Sequence, residues 1–193
     1  RGHGQAETAA AIEEVTSGMD ARITRELARA HIRGPGPQSG PVEVGPVVER
    51  IAGALARMPA GHAVTWRREV EPGLMAPMDE ADLVELLGTL LENAAKWARS
   101  DVRIAASSAG ASVVLLVEDD GPGIAPGDRR AALRRGGRLD PDRSGTGLGL
   151  AIADDIVRAY EGALELEDAP AGGLRVRIAL PATPAAVAHR GAA

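Results

Sequence analysis

Three short segments carry residue types whose spacing could do chemistry. In Leu90-Leu91-Glu92-Asn93-Ala94-Ala95-Lys96, Asn93 offers a neutral amide oxygen to a hard cation and Lys96, one turn later, a point charge for a phosphate. In Glu118-Asp119-Asp120-Gly121-Pro122-Gly123-Ile124, Asp119 is an acceptor for an exocyclic amine, and Gly121 and Gly123 let a flat ring approach the backbone. In Gly145-Thr146-Gly147-Leu148-Gly149-Leu150, bare backbone N–H groups run into an apolar helix start, a ready phosphate cradle. Each segment alone is weak evidence. Together, and in this order, they predict one nucleotide site.

Each segment also has a plainer reading. Thr89, Asn93 and Lys96 are spaced i, i+4 and i+7, so they share a stripe beside a leucine face, and with Asp82, Glu85 and Glu92 nearby that stripe could simply be solvated. Asn is a poor residue for a helix interior, however, which argues for a task beyond solvation. Asp-Gly and Pro-Gly are ordinary turn chemistry, and a Gly-rich run can be a hinge. No G-x-x-x-x-G-K-[ST] run is present and neither glycine segment fits G-x-G-x-x-G, so the P-loop and dinucleotide-fold readings fail.

Hydrophobic periodicity supplies the elements that must position these residues. Pro41 to Val44 reads as a short strand and Pro46 to Met58 as a helix with Val47, Ile51, Ala54 and Leu55 on its apolar face. Ala63 to Val70 reads as a strand, and Leu74 to Met78 follows it. Asp79 to Arg99 turns helical, with Leu83, Leu86, Leu87, Leu90, Leu91 and Ala94 inward. Val102 to Ser107 and Ser112 to Glu118 form a hairpin through Gly110, so Asp119 lies where a strand runs out. Pro126 to Arg135 reads as a short helix, Arg138 to Gly145 as a polar loop and Leu148 to Tyr160 as a helix; Ala163 to Glu167 and Leu174 to Leu180 close the chain as strands. This alternation predicts an α+β two-layer sandwich, helices on one face of a mixed, largely antiparallel sheet, with function at the loops.

Outside that unit, Ile12, Val15, Met19, Ile23 and Leu27 predict an amphipathic N-terminal helix over 1–33, and Gly34-Pro35-Gly36-Pro37-Gln38-Ser39-Gly40-Pro41 a linker over 34–41. The main domain is expected over 42–181 and a disordered tail over 182–193. With 45% hydrophobic residues in 193, the chain can bury a real core, which must be aliphatic because aromatics total 2% and phenylalanine is absent. The absence of cysteine excludes disulfides and thiolate metal sites. No apolar run approaches a membrane span, which predicts a soluble segment. The net charge of −5 and dispersed arginines offer no footprint for nucleic acid.

The trio resembles the N, G1 and G2 boxes of the sensor histidine kinase catalytic domain, in the ATP-binding fold shared with gyrase B subunits, mismatch-repair ATPases and heat-shock chaperones. Arg135-Gly136-Gly137-Arg138-Leu139-Asp140 further resembles the segment before G2 in PhoQ-like kinases. The likeness spans roughly Pro41 to Pro181. It implies a Mg²⁺-ATP pocket under a lid from about Ile124 to Thr146. Carried over residue by residue, Asn93 would hold Mg²⁺, Lys96 and Arg138 would meet phosphate, and Asp119 the adenine amine. Trp97 would line the adenine or ribose side, its alternative being an ordinary core aromatic at a helix end; Ile124 would bind the nucleotide, and Gly121, Gly123, Gly145, Thr146, Gly147, Leu148 and Gly149 would form pocket walls and lid hinge. The N-terminal helix would be the second helix of a dimerisation and phosphotransfer hairpin.

Three departures from the family pattern bear on activity. Thr89 stands where relatives usually have Asn, and where the hydrolytic relatives carry a water-activating Glu, which implies transfer rather than efficient hydrolysis. Leu133 replaces the usual lid phenylalanine. None of His3, His31, His62 and His189 sits in a His-acid-x-x-x-Pro setting, so the phosphoacceptor is expected on a hairpin outside this fragment. The resemblance thus implies a cytoplasmic catalytic portion of a two-component kinase, with a response regulator as partner and a homodimeric parent anchored in the inner membrane. The alternatives are an ATP-binding scaffold without transfer, or a serine kinase of the anti-sigma type.

Overall fold

A computed structural model describes residues 40–134 and 148–182. The expected N-terminal helix, nearly all of the linker, the tail beyond Ala182, and site candidates Arg138, Gly145, Thr146 and Gly147 lie outside the described residues. Strand β1 (Val42–Glu43) pairs antiparallel with β3 (Met75–Ala76) as a small separate ribbon. The main sheet has five strands in the order β2 (Thr65–Val70), β4 (Asp101–Ala109), β5 (Ser112–Asp119), β7 (Leu174–Pro181), β6 (Ala163–Asp168). All its pairings are antiparallel except β2 with β4. That one parallel pair follows from the topology: β2 reaches β4 through a crossover that contains a helix, whereas β4 and β5 form a hairpin turning at Gly110.

Helices α1 (Val44–Leu55), α3 (Glu80–Trp97) and α5 (Gly149–Ala159) cover one face, and a single-turn helix α2 (Pro59–His62) sits between α1 and β2. The α3 stripe is Leu83, Leu86, Leu87, Leu90 and Leu91, each at most 1% exposed. Burying each such side chain contributes about 1.5–3 kcal/mol. Opposite them the sheet presents Val102, Ile104, Leu115, Val117, Val176 and Ile178. This is the expected layered α+β sandwich with an aliphatic core. Helix α1 starts at Val44, two residues before Pro46: proline's missing donor falls in the first turn, where no partner exists anyway.

Candidate nucleotide site

Helix α3 is the spine of the site. Its residues Thr89, Asn93 and Lys96 are half-buried on a flank of the leucine stripe, as the spacing predicts. Two close contacts bring the glycine segments to this flank. A Cβ on Gly149, the first residue of α5, would stand 3.1 Å from the Thr89 methyl, and a Cβ on Gly121 would stand 2.4 Å from the Trp97 carbonyl oxygen. Asn93 lies four residues, about one turn, from each of these contacts. Gly149, in the described end of the third segment, therefore meets α3 one turn before the asparagine, and Gly121 of the second segment meets it one turn after.

Asp119 ends β5 and is 5% exposed. Its Oδ1 accepts hydrogen bonds from the N–H of Gly121 at 2.9 Å and of Leu174 at 3.4 Å, which fix the carboxyl plane. Its Oδ2 has no hydrogen-bond partner among the described residues. Burial pushes the Asp119 carboxyl above the usual carboxylate range; the two N–H bonds pull the other way, and neighbouring Asp120 adds to the rise. A buried acceptor held at one oxygen and open at the other is poised to take a hydrogen bond from a ligand donor.

Gly121 is compelled by space: besides the Trp97 carbonyl, its Cβ would meet Asp119 Oδ1 at 2.7 Å. Gly123 has φ +70° and lies against Gly173, where a Cβ would approach the carbonyl oxygen to 2.9 Å. Gly173 itself has φ +87°, and a Cβ there would sit 2.1 Å from the Asp119 carbonyl oxygen. The β6–β7 turn thus forms the floor under Asp119, a role the sequence reading missed. The signal was present as Gly172-Gly173 before a strand, but it reads as an ordinary turn.

Asp120 was also missed. Its carboxylate accepts from the N–H of Arg99 at 2.7 Å, of Ser100 at 3.0 Å and of Asp101 at 3.1 Å, and from the Ser100 hydroxyl at 2.7 Å. Desolvation works against its charge, but these four donors together hold the carboxyl well below the usual range. The two adjacent aspartates are held differently: Asp120 ties the loop after β5 to the end of α3, and Asp119 is bound through one oxygen to Gly121 and Leu174. Lys96 Nζ stands 5.4 Å from the centroid of the Trp97 ring, a cation–π contact at the C-terminal end of α3. Ile124 and Leu150 are partly buried against the core, and Leu148 leads into α5.

Among the described residues no group of three acidic, His or Cys side chains could hold a metal ion. Asn93 offers one neutral amide oxygen on this flank, a donor that would fit a cation already carrying phosphate oxygens. The profile of the histidine kinase-, DNA gyrase B-, and HSP90-like ATPase family matches residues 78–184, which contain α3, both aspartates, Gly173 and α5. The chain belongs to this family.

Within the family it is similar to sensor kinases. It is 42% identical over 178 residues to the sensor protein kinase CarS of Pseudomonas aeruginosa, covering 92% of this chain and 40% of that protein. It is 32% identical over 166 residues to the sensor protein PhoQ of Escherichia coli, covering 86% of this chain and 34% of that protein. The chain therefore spans two fifths or less of these relatives. Among solved structures it resembles the mycobacterial sensor histidine kinase MprB, with TM-score 0.66 and 28% identity over 75% of this chain and 98% of that one. It also resembles full-length ShkA in complex with AMPPNP, with TM-score 0.72 and 26% identity over 92% of this chain and 39% of that one. The resemblance read from the three motifs, including its PhoQ-like character, is borne out.

Proposed function

We propose that residues 42–181 are the catalytic domain of a two-component sensor kinase, binding Mg²⁺-ATP and delivering its γ-phosphoryl group to a histidine on a dimerisation hairpin. The observation that supports this is the approach of Gly121 and Gly149 to the helix that carries Asn93, with the open oxygen of buried Asp119 at one end. Asp119 accepts from the adenine amine. Trp97 and Ile124 border the base, and Asn93 and Lys96 face the phosphates. Mg²⁺, when bound, would supply positive charge to offset the charge that develops on the transferred group. Asn93 is the ligand this chain offers to it.

In the reaction the bond from the γ-phosphorus to the bridging oxygen breaks, ADP leaves, and an imidazole nitrogen of the acceptor forms the new bond. A loose transition state needs mainly positioning and charge stabilisation, which Lys96 and the backbone donors at the start of α5 are suited to give. Thr89 has no acid or base to activate water, and its methyl is packed on Gly149. That favours transfer over hydrolysis. Relay to a response regulator, a dimeric parent, an inner-membrane anchor and residues 1–33 as part of the hairpin belong to the same proposal; among the described residues no helix is long and apolar enough to cross a membrane.

Calorimetric titration with a non-hydrolysable ATP analogue, with and without Mg²⁺, tests the reading. Binding that depends on Mg²⁺ and is lost in Asn93→Ala is the expected result. Unchanged affinity in that variant overturns the assignment of the cation site.

A further inference from the structure

Arg129 belongs to none of the three motifs, yet its fork joins two walls of the pocket. It opens the single-turn helix α4 (Arg129–Ala132). Its Nε donates to the carbonyl oxygen of Ile124 at 3.1 Å, and its Nη2 pairs with Asp168 Oδ1 at 2.5 Å. Ile124 is the residue after Gly123, and Asp168 is the last residue of β6, at the turn that leads to Gly173. The turn is closed by the N–H of Ala169 to the Gly173 carbonyl at 3.1 Å and of Gly172 to the Ala169 carbonyl at 2.9 Å. That same Gly173 carbonyl is what Gly123 packs against, and the Leu174 N–H reaches Asp119.

The contacts form a closed circuit: Arg129 to Ile124, Ile124 to Gly123, Gly123 to Gly173, and Gly173 through the turn to Asp168 and back to Arg129. The arginine is 21% exposed and its aspartate 75% exposed, so the pair's electrostatic attraction is screened, and geometry matters more than charge. A planar guanidinium can serve a carbonyl and a carboxylate at fixed angles; an ammonium cannot hold both in the same way. Ala132, three residues on, is 4% exposed, and Leu133 packs on the core, which anchors the helix that carries the fork.

We propose that Arg129 is a positioning residue for adenine recognition: by clasping the Ile124 carbonyl to Asp168 it holds the G1 loop against the β6–β7 turn, and so sets the spacing between Asp119 and the opposite wall of the base pocket. It makes no contact with the nucleotide. The inference rests on the Mg²⁺-ATP reading above. Its effect is confined to the base end, so adenosine and an ATP analogue lose affinity by the same factor when the clasp is removed.

The test is titration of the full chain with adenosine and with the Mg²⁺ complex of a non-hydrolysable ATP analogue, followed by the Trp97 indole resonance in NMR. Arg129→Ala is expected to weaken both ligands by about five- to tenfold, with Arg129→Lys in between. Adding Asp168→Ala to Arg129→Ala is expected to cost little more, because the two act through one contact. Tyr160→Phe, which loosens the far end of α5, serves as a control for general destabilisation and is expected to leave both affinities within twofold. No loss in Arg129→Ala overturns the inference. So does a loss seen with the ATP analogue alone, which assigns Arg129 to the phosphates, or an equal loss in Tyr160→Phe, which makes the effect one of stability. If the unaltered chain binds neither ligand, the ATP reading itself fails.

Discussion

Two adjacent carboxylates, Asp119 and Asp120, are shifted in opposite directions, and the consequences can be separated by pH. The Asp119 carboxyl is raised in the folded chain, so its contribution to stability is present below the unfolded value and is lost as pH rises through the folded value. Asp120 is depressed, so its contribution is present above the unfolded value and is lost as pH falls through the folded one. Asp119→Asn keeps an Oδ1 for the Gly121 and Leu174 N–H groups but sets an NH₂ where the open oxygen stood. The empty variant is expected to gain stability relative to the unaltered chain as pH rises from about 3 to 7. It is also expected to bind the ATP analogue at least about tenfold more weakly, since a hydrogen bond to a charged group is worth about 1.5–3 kcal/mol. Thermal melts across pH and calorimetry read the two effects; a stability gain without an affinity loss removes Asp119 from the base site. Asp119 was legible in the sequence because a D-x-G-x-G run after a β-branched strand has a chemical meaning. Asp120 was not, because its partners are the N–H groups of 99–101, brought to it only by the fold.

At the scale of elements, periodicity located the long helices and strands among the described residues and the β4–β5 hairpin, and what it could not give was the rest of the strand order. The parallel partner of β2 is invisible to local pattern, and α2 is too short for any period to show. Register also creates a charged row on the sheet face away from the helices. Glu118 is bracketed by Arg103 at 3.1 Å and Arg175 at 2.6 Å, while Arg103 continues to Glu69 at 2.6 Å and Arg175 to Glu167 at 3.6 Å. Five strands are thereby cross-linked one residue before Asp119. Glu118→Ala leaves two guanidiniums facing each other with their shared carboxylate gone. The expected loss is about 1–3 kcal/mol, below the figure for a fully buried pair because both arginines are about one quarter exposed. Chemical denaturation checks it, and a loss under about 0.5 kcal/mol, the usual range for surface substitutions, shows that the row is ordinary surface. Tyr160 links two helices more simply: its hydroxyl accepts from the Asp79 N–H at 3.2 Å and donates to Asp82, joining the end of α5 to the start of α3. Burial and the Asp82 carboxylate push the phenol up, so its contribution persists through neutral pH and is lost only as strongly alkaline pH ionises it. Tyr160→Phe is expected to cost about 1–2 kcal/mol in the same measurement.

For the molecule as a whole, the decisive question is where the phosphoryl group goes. Among the described residues the only histidine is His62, exposed at the end of α2 and not among the residues that form the site. Thr89 offers no base to water. If this domain works by positioning alone, ATP turnover waits for a nucleophile brought from outside it. The chain incubated with γ-labelled ATP and Mg²⁺ is then expected to take up little stable label and to release phosphate slowly. Adding a hairpin that carries the acceptor histidine is expected to move label onto that hairpin, with the acid lability and alkali stability of a phosphoramidate. His62→Ala should change nothing, and Lys96→Ala should cut the transfer rate by about tenfold or more, the scale on which one charged contact in a transition state acts. Acid-stable, alkali-labile label on a partner would instead identify a serine kinase. Binding of ATP with no label on the hairpin would reduce the domain to a nucleotide-dependent scaffold, and would show that three motifs meeting on one helix suffice to hold ATP without committing it to chemistry.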